Sequence, residues 1–192
     1  INAYLAKRRN VVNNPNQPVN YIDDNARTRA DDYDGFEIND DNKTVVPVTN
    51  TDQLFMAVQY GARPKFVGNC EVAQTVYENA KYILRRIINN DFTDYQKIEA
   101  IYDWLTRVNV YDYDVVAFTE VFYYDGGDVD TIGQYSPFHL EGVFYNWTDG
   151  NIHAKAVCDG ISKAFVLLCQ IEGIDCYKCN GAGGKQGNEA NW

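Results

Sequence analysis

Lys155-Ala156-Val157-Cys158-Asp159-Gly160-Ile161-Ser162-Lys163-Ala164-Phe165 sets a thiol at the start of an apolar run. From Val157 to Gln170 the residues Ile161, Ala164, Phe165, Leu168 and Cys169 return at helical spacing, and Gly173 follows as a stop. A helix sunk in the core is expected, with Cys158 in its first turn. Unpaired N–H groups and the positive end of the helix dipole favour thiolate over thiol there, and Lys155 and Lys163 add charge nearby. A thiolate is what nucleophilic catalysis requires, and Gly160 permits a substrate to approach the backbone. Cys158 is therefore the candidate nucleophile. The competing reading is a buried structural cysteine, the role expected of Cys169.

Upstream, more helices are legible. Asp52 to Tyr60 carries Leu54, Phe55 and Val58 and ends at Gly61. Glu71 to Ile88 aligns Val72, Val76, Tyr77, Ala80, Ile83, Leu84 and Ile87, with acid at its start and Arg85-Arg86 near its end, as the dipole prefers. Thr93 with Gln96 forms a capping box that opens a third helix bearing Ile98, Ile101, Tyr102, Leu105 and Val108. Trp104, Tyr102 and Phe165 are expected in one core joining this helix to the cysteine helix. Tyr111 to Gln134 reads as a long surface excursion, Leu140 to Phe144 as a short apolar segment, and Trp147 to Asn151 as a turn. Ile174, Cys176 and Cys179 suggest a strand entering a mobile loop, Gly181 to Gly187, at the rim of the site. Helices come first and strands late, so most of the sheet is expected beyond Trp192.

Residues 1–50 differ. Asn, Asp and three prolines (Pro15, Pro18, Pro47) dominate, an acidic tract runs from Asp31 to Asp41, and neither period is kept. An extended arm contributing little to the core is expected there, with one short strand through Thr44-Val45-Val46, followed by a single domain over 51–192.

The 192 residues carry a formal charge of −10, which repels phosphate backbones and anionic headgroups and argues against nucleic-acid binding as the main task. No apolar run approaches the ~18 residues of a membrane span. The chain begins on Ile1 and stops on Trp192, and reads as a fragment of a longer polypeptide. Five cysteines are too few for a disulfide scaffold, and the odd count leaves one unpaired within the chain. Cys176-Tyr177-Lys178-Cys179 lacks the second ligand pair that a structural zinc needs, and on a strand its thiols face opposite ways. Gly181 to Gln186 misses the first Gly and the hydroxyl of a phosphate loop. Asp32, Asp34, Gly35 and Asp41 fall at calcium-loop offsets, but Ala30 holds the first ligand position and Asp41 stands where Glu belongs, so the tract reads as a solvated acidic face. Asn42-Lys43-Thr44 and Asn146-Trp147-Thr148 match a glycosylation pattern short enough to recur by chance. No metal and no cofactor is assigned.

His139-Leu140-Glu141-Gly142-Val143-Phe144, the block Ala156 to Phe165, Leu167-Leu168 and Glu172-Gly173-Ile174-Asp175-Cys176 together resemble the core of the bacterial transglutaminase-like superfamily. Upstream, Phe92-Thr93-Asp94-Tyr95, Lys97-Ile98, Tyr102-Asp103-Trp104-Leu105 and Tyr111-Asp112 are similar to the helix that precedes the catalytic cysteine in that family. The resemblance covers roughly residues 52–192. It implies an α+β, papain-like fold in which the cysteine helix packs on an antiparallel sheet, with helices before it. It also implies a Cys-His-Asp triad with Cys158 as nucleophile on amide or peptide bonds, by acyl transfer or hydrolysis. The implied partner is a protein or peptide substrate, cell-wall peptide included, and the implied location is extracellular or at the cell surface.

One departure qualifies it. The family's histidine precedes a tryptophan downstream of the cysteine, and here that segment is Gly187-Asn188-Glu189-Ala190-Asn191-Trp192. Ala190 or Asn191 stands where imidazole belongs, and neither accepts a proton usefully. His139 and His153, the chain's two histidines, are not triad positions in the resembling family. Two readings follow: a thiol enzyme whose histidine and aspartate are supplied from beyond Trp192, or an inactive transglutaminase-like module that binds peptides or glycans or serves as a spacer.

Overall fold

A computed structural model of the chain describes residues 44–124, 136–144, 154–180, 184–186 and 189–191. It opens with a strand, helix and strand: β1 (Val45–Val48), α1 (Thr51–Gln59) and β2 (Arg63–Phe66), with β1 and β2 parallel in the register Val45 to Arg63. A parallel pair needs a crossover, and α1 supplies it. The Asn50 side chain caps α1 by accepting from the Gln53 N–H at 2.9 Å, and Gly61 leaves the helix at φ +71°. Next come α2 (Glu71–Ile87) and α3 (Asp94–Val108), then β3 (Asn109–Tyr111) and α4 (Tyr113–Tyr124). The capping box of Thr93 and Gln96 is formed. A 3-10 turn (Ser136–Phe138) and the short α5 (Leu140–Phe144) precede β4 (Ala154–Ala156), which pairs parallel with β3 and feeds straight into α6 (Cys158–Ile171). The strands β5 (Gly184–Gln186) and β6 (Glu189–Asn191) form an antiparallel pair.

The core is helical, and α6 is its axis, packed against α1, α2, α3 and α5. Leu54, Val58, Ile83, Leu84, Ile101, Phe144, Leu167 and Leu168 are all fully buried in one cluster, each contributing about 1.5–3 kcal/mol by leaving water. Trp104 stacks on Phe144 with ring centroids 5.9 Å apart. One buried ion pair joins the start of α3 to the end of α6: the Lys97 ammonium lies 3.3 Å from the Glu172 carboxylate and donates to the Glu172 carbonyl at the same distance. Pairing is what makes burying those charges tolerable, and removing one partner strands the other.

The mixed helix-and-strand class holds, but several expectations are corrected. The strand touching the cysteine helix, β4, belongs to a parallel pair, so the expected antiparallel sheet beneath α6 is not found among the described residues. The reason is the path: the chain leaving β3 passes through α4 and α5 before it returns, and a return through such a crossover runs in the original direction. Strands also come early. β1 overlaps the short strand expected through Thr44-Val45-Val46, whereas β2, also four residues long, was not expected, and its Pro64 removes a donor and breaks the alternation that announces a strand. β1 falls within the span assigned to the arm, and its Val48 is fully buried, so that span does reach the core; residues 1–43, the rest of the arm with its acidic tract, lie outside the described residues.

Tyr102 is 53% exposed rather than in the core, because Ile98, Ile101, Leu105 and Val108 set the inner face of α3 and Tyr102 falls one step past it. Trp104 is buried and Phe165 packs partly buried against the same cluster. Tyr111 to Tyr124, read as part of an excursion, is the end of β3 followed by α4; residues 125–135 and the turn at 147–151 lie outside the described residues. Residues 174–180 form no strand, while Gly184–Gln186, read as loop, is one. Among the described residues no helix is long and apolar enough to cross a membrane.

Candidate functional site around Cys158

β4 delivers the chain to Val157, which is extended at φ −100° and ψ 177° and offers no side-chain cap, so the first N–H groups of α6 are not covered by a capping side chain. The Val157 N–H donates to the Pro137 carbonyl at 3.0 Å. Gly160 explains why this corner closes. A Cβ there would stand 2.9 Å from the carbonyl oxygen of His139 and closer still to that of Pro137. The glycine thus admits the chain's own 3-10 corner, where the sequence suggested a substrate. Successive helical residues turn by about 100°, so Cys158 lies on the far side of the first turn from Gly160. It is exposed and reduced.

The residue that meets it is Tyr111. In the β3–β4 pair Tyr111 is opposite Ala156, and the Asp112 N–H donates to the Ala156 carbonyl at 3.2 Å, which fixes the end of β3 beside the entry to α6. The Tyr111 hydroxyl hydrogen-bonds with the Cys158 side chain and accepts from the Cys158 backbone N–H. Burial first, and then the bond to Cys158 and the charge the sulfur takes on, push the phenol above the ordinary tyrosine range. It stays a neutral O–H donor facing the sulfur. The Tyr113 ring lies 4.9 Å from that of Tyr111 and is 73% exposed.

The lysines expected to activate the thiol serve other groups. Lys155 is 4.0 Å from Asp114. The Lys163 ammonium lies 2.9 Å from Asp159, 3.6 Å from Asp52 and 2.9 Å from the Phe138 carbonyl, to which it donates. These contacts form a chain of alternating charge: Lys178 to Asp159 at 2.5 Å, Asp159 to Lys163, Lys163 to Asp52, and Asp52 to His139 Nδ1 at 3.0 Å. The His139 hydrogen bond leads in holding the Asp52 carboxyl below its ordinary value, against partial burial and with help from Lys163. Burial opposes ionisation of Asp159, but hydrogen bonds from Lys178 and Lys163 outweigh it and lower that carboxyl too.

His139 therefore stands on the side of the turn that carries Gly160 and Lys163, its Nδ1 held by Asp52. His153 lies outside the described residues, and Ala190 and Asn191 are in β6. Cys169 is 1% exposed, and burial, followed by the neighbouring Cys176, pushes its thiol up to about 12. Burial also raises Cys176. Cys158 is exposed where Cys169 is buried, and the side chain beside Cys158 is a phenol the sequence did not single out. The signal was present: Tyr111-Asp112 closes the helix included in the family resemblance. What the sequence did not supply was the β3–β4 pairing that turns proximity in the fold into contact.

Among the described residues no group of three or more His, Cys, Asp or Glu side chains is arranged to hold a metal ion. Compared with family models, curated proteins and solved structures, the chain matches none.

Proposed function

We propose that Cys158 is an acyl-accepting nucleophile, in a domain of transglutaminase-like, papain-like character that acts on amide or peptide bonds. One observation carries this reading: an exposed thiol at the first residue of a helix whose later turns are buried in the core, with the Tyr111 hydroxyl beside its sulfur. Thiolate sulfur would attack the carbonyl carbon and expel the leaving group to give a thioester, which water or an amine then resolves. An amine leaving group must be protonated as it departs, and this is the task of the histidine that the described residues do not place beside the sulfur. A protein or peptide substrate, cell-wall peptide included, and a place at the cell surface or outside it belong to the same proposal, and rest on the family resemblance.

A second reading, an inactive module that binds peptides or glycans or serves a structural role, is favoured by the turning of His139 toward Asp52. An activated ester separates the two, because p-nitrophenolate leaves without a proton. The first reading expects a burst of p-nitrophenol and an acyl group mapped by mass spectrometry to Cys158, both lost in Cys158→Ala. Acylation spread evenly over Cys179 and surface lysines, with no burst, would leave the inactive module as the better account.

A further inference from the structure

At the end of α6 the chain turns at Gly173, whose φ is +76°, and the Ile174 N–H donates to the Cys169 carbonyl at 2.9 Å. The segment 174–180 then runs back along the helix. The Gln170 side-chain amide donates to the Cys176 carbonyl at 2.9 Å, the Lys178 N–H donates to the Gln59 side chain at 3.2 Å, and the Lys178 ammonium reaches Asp159 at the helix start. This return path brings the half-buried Cys176 back to Cys169, which lies in the core cluster that Cys176 packs against. Cys179, three residues further on, is exposed.

We propose that Cys169 and Cys176 are a disulfide-forming pair, closed when the chain meets a small-molecule disulfide oxidant and tying segment 174–180 to α6. Cys169 is shut off from dissolved reagents, so the sulfur placed to reach it is that of Cys176. Deprotonated Cys176 attacks one sulfur of the oxidant, whose S–S bond breaks and releases one thiolate, which takes up a proton. Deprotonated Cys169 then attacks the Cys176 sulfur, and the second small thiol leaves in the same way. Two protein thiols lose two electrons and two protons, and the oxidant gains them as two thiols. Both cysteines ionise reluctantly, so the exchange is slow to close and, with poor leaving groups, slow to reverse. Those are the properties of a structural link. The segment has use for one, because residues 174–180 form no strand and are held by side-chain bonds.

The test incubates the whole chain with glutathione disulfide, quenches it in acid and maps its peptides without reduction. A Cys169–Cys176 crosslink is expected, present in Cys179→Ser and absent in Cys176→Ser, where Cys169 stays a free thiol. Thermal unfolding supplies the second readout: the oxidised chain should melt above the reduced one, and Cys176→Ser should abolish that difference. A Cys176–Cys179 crosslink, or Cys176 held as a glutathione adduct while Cys169 remains free, would overturn the proposal.

Discussion

The two ends of α6 carry the same side chain in opposite circumstances. At the start, Cys158 is exposed, faces a phenol and stands in a first turn that the Val157 side chain does not cap. At the end, Cys169 is buried, and burial and the neighbouring Cys176 raise its thiol. Reactivity thus follows from what the fold brings to each sulfur. Charge teaches the same lesson. Lys163 and Lys178 lie near the first turn, but their ammoniums are engaged by Asp159, and Lys163 also by Asp52. They brace the turn, leaving an uncharged donor to meet the thiol.

Breaking the buried end should have the largest effect. Leu168 is fully buried in the cluster that holds α6, and Leu168→Ala should destabilise the domain by about 2–5 kcal/mol, read from urea unfolding. The same variant should label at Cys169, erasing the contrast between the two ends. Gly160→Ala attacks the other end. Its methyl would strike two carbonyl oxygens of the backbone, so a loss of about 1–3 kcal/mol is expected, with Cys158 labelling altered because the first turn must move. A change within experimental error would mean that the 3-10 corner yields freely.

How much of this was legible follows from the length of each signal. α1, α2, α3 and α6 announce themselves by apolar spacing sustained over two turns or more, and the Thr93–Gln96 box is a local pattern complete in four residues. The strands are three or four residues long, two of them contain proline, and those around the site find partners only across long stretches of chain. Cys158 was visible because a thiol at a helix start is itself a local signal. Tyr111 was not, because its approach to Cys158 depends on β3 lying beside β4. The misplacement of Tyr102 has a smaller cause: one residue of helical phase turns a core position into an exposed one.

Tyr111→Phe sharpens the comparison with little cost to the fold. Removing the hydroxyl beside the sulfur should slow Cys158 alkylation near neutral pH by about two- to tenfold. An unchanged rate would assign the phenol to packing alone. The smallest effect concerns acid. Asp52 and Asp159 are both lowered from 3.8 in the folded chain, so their contribution is fully present above that value and is lost as pH falls through the lowered folded values. Asp159→Asn should flatten the fall in stability below pH ~4, measured by thermal melts in a pH series.

Mass-spectrometric mapping of iodoacetamide labelling at Cys158, Cys169, Cys176 and Cys179, followed over a pH series, tests most directly whether the fold singles out Cys158. The expected order near neutral pH is Cys158 ahead of exposed Cys179, half-buried Cys176 well behind, and Cys169 unlabelled until the chain unfolds. Labelling of Cys158 no faster than that of Cys179 would contradict it, since exposure alone would then account for both.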